Sequence, residues 1–79
     1  MEEERISVVV SFGAPYKMRP VRFKWAGRLH EISEVTYTWT THEGTDMLYH
    51  FSVTDGGALY EICFNSTSLR WHLRAVEAQ

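Results

Sequence analysis

The stretch Arg19–Trp39, RPVRFKWAGRLHEISEVTYTW, decides how this chain folds. Val21, Phe23 and Trp25 alternate with Arg22 and Lys24, the period-two pattern of a strand with one buried face. Pro20 suits the first position of such a strand, where its missing N–H costs no ladder bond. Ala26-Gly27-Arg28 reads as a short hairpin connection, with Gly27 supplying a positive φ. The next strand changes phase. Ile32 and Val35 are three apart, whereas Val35, Tyr37 and Trp39 are spaced by two. A β-bulge at Ser33-Glu34 reconciles the two phases and bends and twists the strand. Such a bend favours a sheet curled into a barrel or half-barrel. A flat sheet with Ile32 outward is the other solution.

Upstream, Glu2–Glu4 read as a solvated end. Ile6, Val8, Val10 and Phe12 then alternate with Ser7, Val9 and Ser11 as a first strand. Gly13-Ala14-Pro15 ends it and Tyr16–Arg19 is a loop. Downstream, Thr40–Asp46 reads as a polar loop. Tyr49, Phe51 and Val53 define one face of the next strand. Asp55-Gly56-Gly57 is a hairpin turn, and Tyr60, Ile62 and Phe64 pair back. Asn65–Ser68 is the following turn. Leu69, Trp71 and Leu73 alternate with Arg70, His72 and Arg74 as a sixth strand. The end beyond Leu73 is loose or a short helix, because Ser66–Ser68 also suit a helix cap. The expected fold is therefore all-β: one domain over residues 1–79, a six-stranded antiparallel meander curled into a barrel or half-barrel.

A chain of 79 residues leaves no room for a second domain. Its core is small, and the 4 Phe, 3 Trp and 4 Tyr compensate with large buried area. The formal charge of −2 gives no global attraction to nucleic acid or membrane. One cysteine, an acidic start and the lack of a long apolar run lead us to expect a cytoplasmic protein.

No motif for chemistry stands out. His30, His42, His50 and His72 are scattered without metal-ligand spacing, and Cys63 has no CxxC partner. Cys63 lies between Ile62 and Phe64, where a buried, inert thiol is common. There is no nucleophile elbow, phosphate loop or dinucleotide fingerprint. No catalytic, cofactor, metal or small-molecule site is expected. Charge placement says more. Arg19, Arg22, Lys24 and Arg28 flank the first hairpin, and Arg70, His72 and Arg74 lie on the last strand. If one face gathers these residues, they form a surface for a nucleic acid or a protein partner. The ordinary alternative is the wet side of amphipathic strands. Trp25, Trp39 and Trp71 all fall on inward positions and read as core.

The motif P-x-x-F-x-W-x-G-R is carried by Pro20, Phe23, Trp25, Gly27 and Arg28. With Trp39, the Gly56-Gly57-x-x-Tyr60-Glu61 hairpin and the closing Trp71-x-Leu73, it resembles a small uncharacterised bacterial all-β domain. The resemblance covers Arg19 to Leu73. It implies a fold more than an activity. Some such domains look associated with lesion-bypass polymerase genes, which favours nucleic acid slightly. The acidic, strand-forming start and the short middle loop depart from the pattern.

The readings rank in order. First comes a noncatalytic module that docks on a protein partner or on its own copy, using an open sheet edge and Val9 on the outer face. Second is a nucleic-acid-binding barrel that uses the basic residues. An enzyme or metal protein comes last.

Overall fold

The computed structural model describes residues 4–13 and 17–78. Seven strands follow in turn: β1 (Glu4–Ser11), β2 (Arg19–Trp25), β3 (Arg28–Glu31), β4 (Glu34–Glu43), β5 (Asp46–Thr54), β6 (Ala58–Asn65) and β7 (Arg70–Ala78). They make one sheet in the order β3-β2-β1-β7-β6-β5-β4, with every neighbouring pair antiparallel. The sheet is curled but not closed into a barrel.

Alternation places the core on the inner face. Ile6, Phe23, Phe51, Val53, Tyr60, Ile62, Trp71 and Leu73 form one buried cluster. Ladder pairs carry it across the strands: Val8 faces Phe23, Ile6 faces Trp71, and Ile62 faces both Phe51 and Leu73. Val8, Val10, Met18, Trp25, Val35, Tyr49 and Phe64 pack around it, partly buried. Three bulges bend the sheet around this core. Each inserts one extra residue, Val21 in β2, Thr36 in β4 and Arg74 in β7.

The turns follow their residue chemistry. Ala26 and Gly27 both have positive φ (54° and 74°), the two-residue turn whose twist matches a hairpin. Asp55 and Asn65 shape the β5–β6 and β6–β7 turns with their side chains. Asp55 Oδ1 accepts the N–H groups of Gly57 and Ala58, and Asn65 Oδ1 those of Thr67 and Ser68.

Several expectations change. The phase shift after Ile32 is not a bulge at Ser33-Glu34. The chain leaves the sheet there and re-enters at its far edge, so one kinked strand becomes β3 and β4. That makes seven strands, not six. Thr40–Glu43 extend β4, and only Gly44-Thr45 turn. The end beyond Leu73 is strand to Ala78, and no helix occurs among the described residues. Because Thr36 bulges, Tyr37 and Trp39 face outward; Tyr37 is 66% exposed. Phe12, expected inward, is exposed past the end of β1, and Leu69 is exposed at φ 61°. Glu2, Glu3, Ala14, Pro15 and Tyr16 lie outside the described residues.

Candidate docking edge and its polar latch

β3 and β4 are consecutive in the chain yet form the two edges of the sheet, joined only by Ile32 and Ser33. The curl therefore brings both edges together at one corner. Ile32 N–H donates to Val21 O (2.9 Å), and Ser33 N–H and Oγ–H donate to Thr54 O (2.8 and 3.1 Å). These bonds join β2, β3 and the end of β5 where regular pairing stops.

A polar cluster locks the same corner. His30 on β3 stacks on Phe23 (ring centroids 5.0 Å apart) and lies 3.1 Å through Nδ1 from Asp55 Oδ2. The Tyr60 hydroxyl donates to the same oxygen at 2.9 Å. With Asp55 ionised, both neighbours act as donors, which assigns the His30 proton to Nδ1. The Gly57 N–H does most to hold the Asp55 carboxyl well below its usual range. His30, Tyr60 and Ala58 add to this, against the opposing effect of burial. Burial, reinforced by Asp55, raises the Tyr60 phenol above its ordinary value. A carboxylate orienting an imidazole is also half of a catalytic arrangement. Among the described residues, His30 Nε2 is buried and has no hydrogen-bond partner. The evident work of the pair is to tie β3 to the β5–β6 turn.

Away from the latch the edges diverge and a seam opens. Near the corner it is a cleft of about 510 Å³ between Met18 and Arg19 on one wall and Glu34–Thr38 on the other. It continues into a second cleft of about 500 Å³ lined by Phe12, Lys17, Met18, Tyr49, Phe51 and Phe64 and bordered also by Thr38–Thr40 and His50. Along the seam, among the described residues, β4 has a ladder partner only in β5. From Val35 to Thr41 it reads VTYTWTT, seven residues of high β-propensity with no charge, proline or lysine. Sheet edges usually carry such protections against added strands. Apart from the Thr36 bulge, this one does not.

The basic residues divide. Arg22, Lys24, Arg70, His72 and Arg74 share the outer face, because β1 lies between β2 and β7. Arg5 pairs with His72 there, a cation the sequence reading did not include. Two of the set are matched by acids: Arg22 Nε is 3.1 Å from Glu31 and Arg74 Nε 3.8 Å from Glu61. Arg19 sits beside the seam. Arg28 lies on the opposite side of the hairpin, where its charge is felt by Tyr60. On the outer face, Tyr37, Trp39 and His50 form a ladder of stacked rings at 5.5 and 5.0 Å. His50 lies on this outer face yet is buried, stacked under Trp39 and hydrogen-bonded at Nε2 to Thr41 Oγ1 (2.7 Å). Cys63 is buried between His50 and His72 in the ladder.

Among the described residues no cluster of three or more His, Cys, Asp or Glu is placed to hold a metal ion. Among the described residues, too, no helix is long and apolar enough to cross a membrane. No family model, curated protein or solved structure matches the chain, so the resemblance seen in its hairpins gains no family assignment.

Proposed function

We propose that this domain is a noncatalytic interaction module that engages a protein partner or a second copy by strand addition to β4. The observation that carries the reading is the long edge of β4, without charge from Val35 to Thr41, beside an apolar cleft. Strand addition draws affinity from main-chain hydrogen bonds and specificity from pockets that take alternate side chains. The edge supplies the first and the cleft the second. Selection of short displayed peptides tests this. Enriched peptides should alternate apolar and polar residues and shift the amides of β4. Binders that shift other strands and leave β4 unmoved would overturn the reading.

A second reading has its own support in the five basic residues gathered with Arg5 on the outer face. Single-stranded nucleic acid would track those cations, and its affinity would fall steeply with salt. Titration with a single-stranded oligonucleotide at low salt should then shift Lys24, Arg70 and His72. No shift at low ionic strength would rule it out. The acid partners of Arg22 and Arg74 weigh against this reading.

A further inference from the structure

The ring ladder on the outer face stops unfinished at the edge of the sheet. His50 of β5 lies flat against Trp39 of β4, the planes 5° and the centroids 5.0 Å apart. Trp39 in turn stacks on Tyr37 at 5.5 Å. Both β4 rings stand on an edge strand, and Tyr37 is 66% exposed there. On the inner face, Thr38 and Thr40 border the apolar cleft of Met18, Tyr49, Phe51 and Phe64. At the hairpin end of the same strand, Glu43 and Asp46 sit directly opposite one another. Like charges so placed repel. Among the described residues, no strand but β5 packs closely on β4.

We propose that the segment added to β4 is an extended stretch of a partner protein with three marks. It carries an aromatic side chain on the outer face, aliphatic side chains on the inner face and a basic residue near its start. The proposal rests on the docking reading above and names its occupant. The segment pairs with β4 alone, along residues 37–43, on the hairpin side of the Thr36 bulge and away from the corner. Antiparallel pairing matches every other ladder of the sheet and sets the start of the segment beside Glu43. Side chains directly opposite across a ladder are about 4.5–5.5 Å apart at Cβ. A residue opposite Trp39 therefore meets the rings of β4, and an aromatic one continues the stack and covers Tyr37. Residues opposite Thr38 and Thr40 turn the other way, to the apolar cleft. A basic residue beside Glu43 and Asp46 relieves their repulsion. A second copy lacks this last mark. With histidine neutral, residues 34–43 of its own edge carry only the charges of Glu34 and Glu43.

The probe is the synthetic peptide Lys-Lys-Val-Thr-Val-Trp-Val-Thr-Val. One comparison replaces its tryptophan by threonine, and another replaces both lysines by glutamate. Residue-resolved amide exchange on the whole domain should show residues 37–43 protected by the probe. The tryptophan peptide should bind about two- to ten-fold more tightly than the threonine peptide, the worth of one aromatic pair. Tyr37→Thr keeps a good strand former at an exposed position and should narrow that gap while the domain still melts cooperatively. The lysine peptide should exceed the glutamate peptide by roughly five-fold at low salt, a gap that shrinks as salt rises and in Glu43→Gln. Protection of β4 with equal affinity for all three peptides would overturn the proposal and leave edge docking standing. A tryptophan preference that Tyr37→Thr leaves unchanged would do the same, because the ring then binds elsewhere. Protection of β4 on raising protein concentration without peptide would overturn it in favour of a second copy. No protection of β4 under any of these conditions would overturn both the proposal and the docking reading.

Discussion

Truncating Phe23 to alanine is expected to destabilise the domain by about 3–5 kcal/mol, the range for a buried aromatic ring replaced by a methyl group. Phe23 is 1% exposed and sits where the two halves of the sheet meet. It stacks on His30 with the planes 13° apart and meets the Tyr60 ring edge-on at 5.0 Å. The loss therefore leaves a cavity and also removes the support that holds the imidazole against Asp55. At roughly 0.05–0.15 kcal/mol per residue, a domain of this size has about 4–12 kcal/mol in total. Urea unfolding should show the variant largely unfolded or with a sharply lowered midpoint. Phe23→Leu keeps most of the volume and should cost about 1 kcal/mol. If alanine costs no more than leucine, the core is not centred on this ring.

Replacing Asp55 by alanine should rank second, at about 2–4 kcal/mol, because four donors lose their acceptor at once. Gly57 N–H, Ala58 N–H, the Tyr60 hydroxyl and His30 Nδ1 all lie within 2.9–3.1 Å of its oxygens. The pH dependence has a definite sign. Asp55 is held below its unfolded value of 3.8, so its contribution is complete above about pH 4. It is lost as pH falls further, through the lowered folded value. Tyr60 works at the other end. Its phenol is raised above 10.0, so its contribution holds below about pH 10 and declines as pH rises past that value. Thermal melts from pH 2 to 5 should fall more steeply for the parent than for Asp55→Ala. Parallel curves would show that the latch contributes nothing to the acid limb.

Much of the sheet was legible because alternation is a local signal. Ile6, Phe23, Phe51, Val53, Tyr60, Ile62 and Leu73 were each assigned inward from period two alone, and each is buried. The Asp55-Gly56-Gly57 turn was legible for the same reason, since its chemistry lies within a few residues. The break at Ile32-Ser33 was not. A bulge within one strand and a jump between two strands produce the same phase shift in the pattern. Only pairing partners distant in sequence separate them. The Thr36 bulge was hidden similarly, and with it the outward turn of Tyr37 and Trp39. The latch escaped because its members, His30, Asp55 and Tyr60, are scattered along the chain and converge only once the sheet curls. Of the candidate basic set, the sharing of a face by Arg22, Lys24, Arg70, His72 and Arg74 depended on β1 lying between β2 and β7. That arrangement leaves no mark on the residues themselves.

The placement of β3 and β4 at opposite edges has a kinetic corollary. Five of the six ladders join strands next to one another in the chain, two of them within β1–β3 and three within β4–β7. The ladder between β1 and β7 alone joins distant segments, with Glu4, Arg5 and Ile6 meeting Leu73, His72 and Trp71. Two meanders can thus form early and independently, while their union carries the entropy of closing nearly the whole chain. The expected rate-limiting event in folding is then the docking of one meander on the other, with β1 against β7 and the two-residue link at Ile32-Ser33 as its hinge. Substitutions within β5 and β6 weaken a meander already formed at that event and should slow folding, whereas those at Ile6 or Trp71 should divide between folding and unfolding according to how far the β1–β7 ladder is made there.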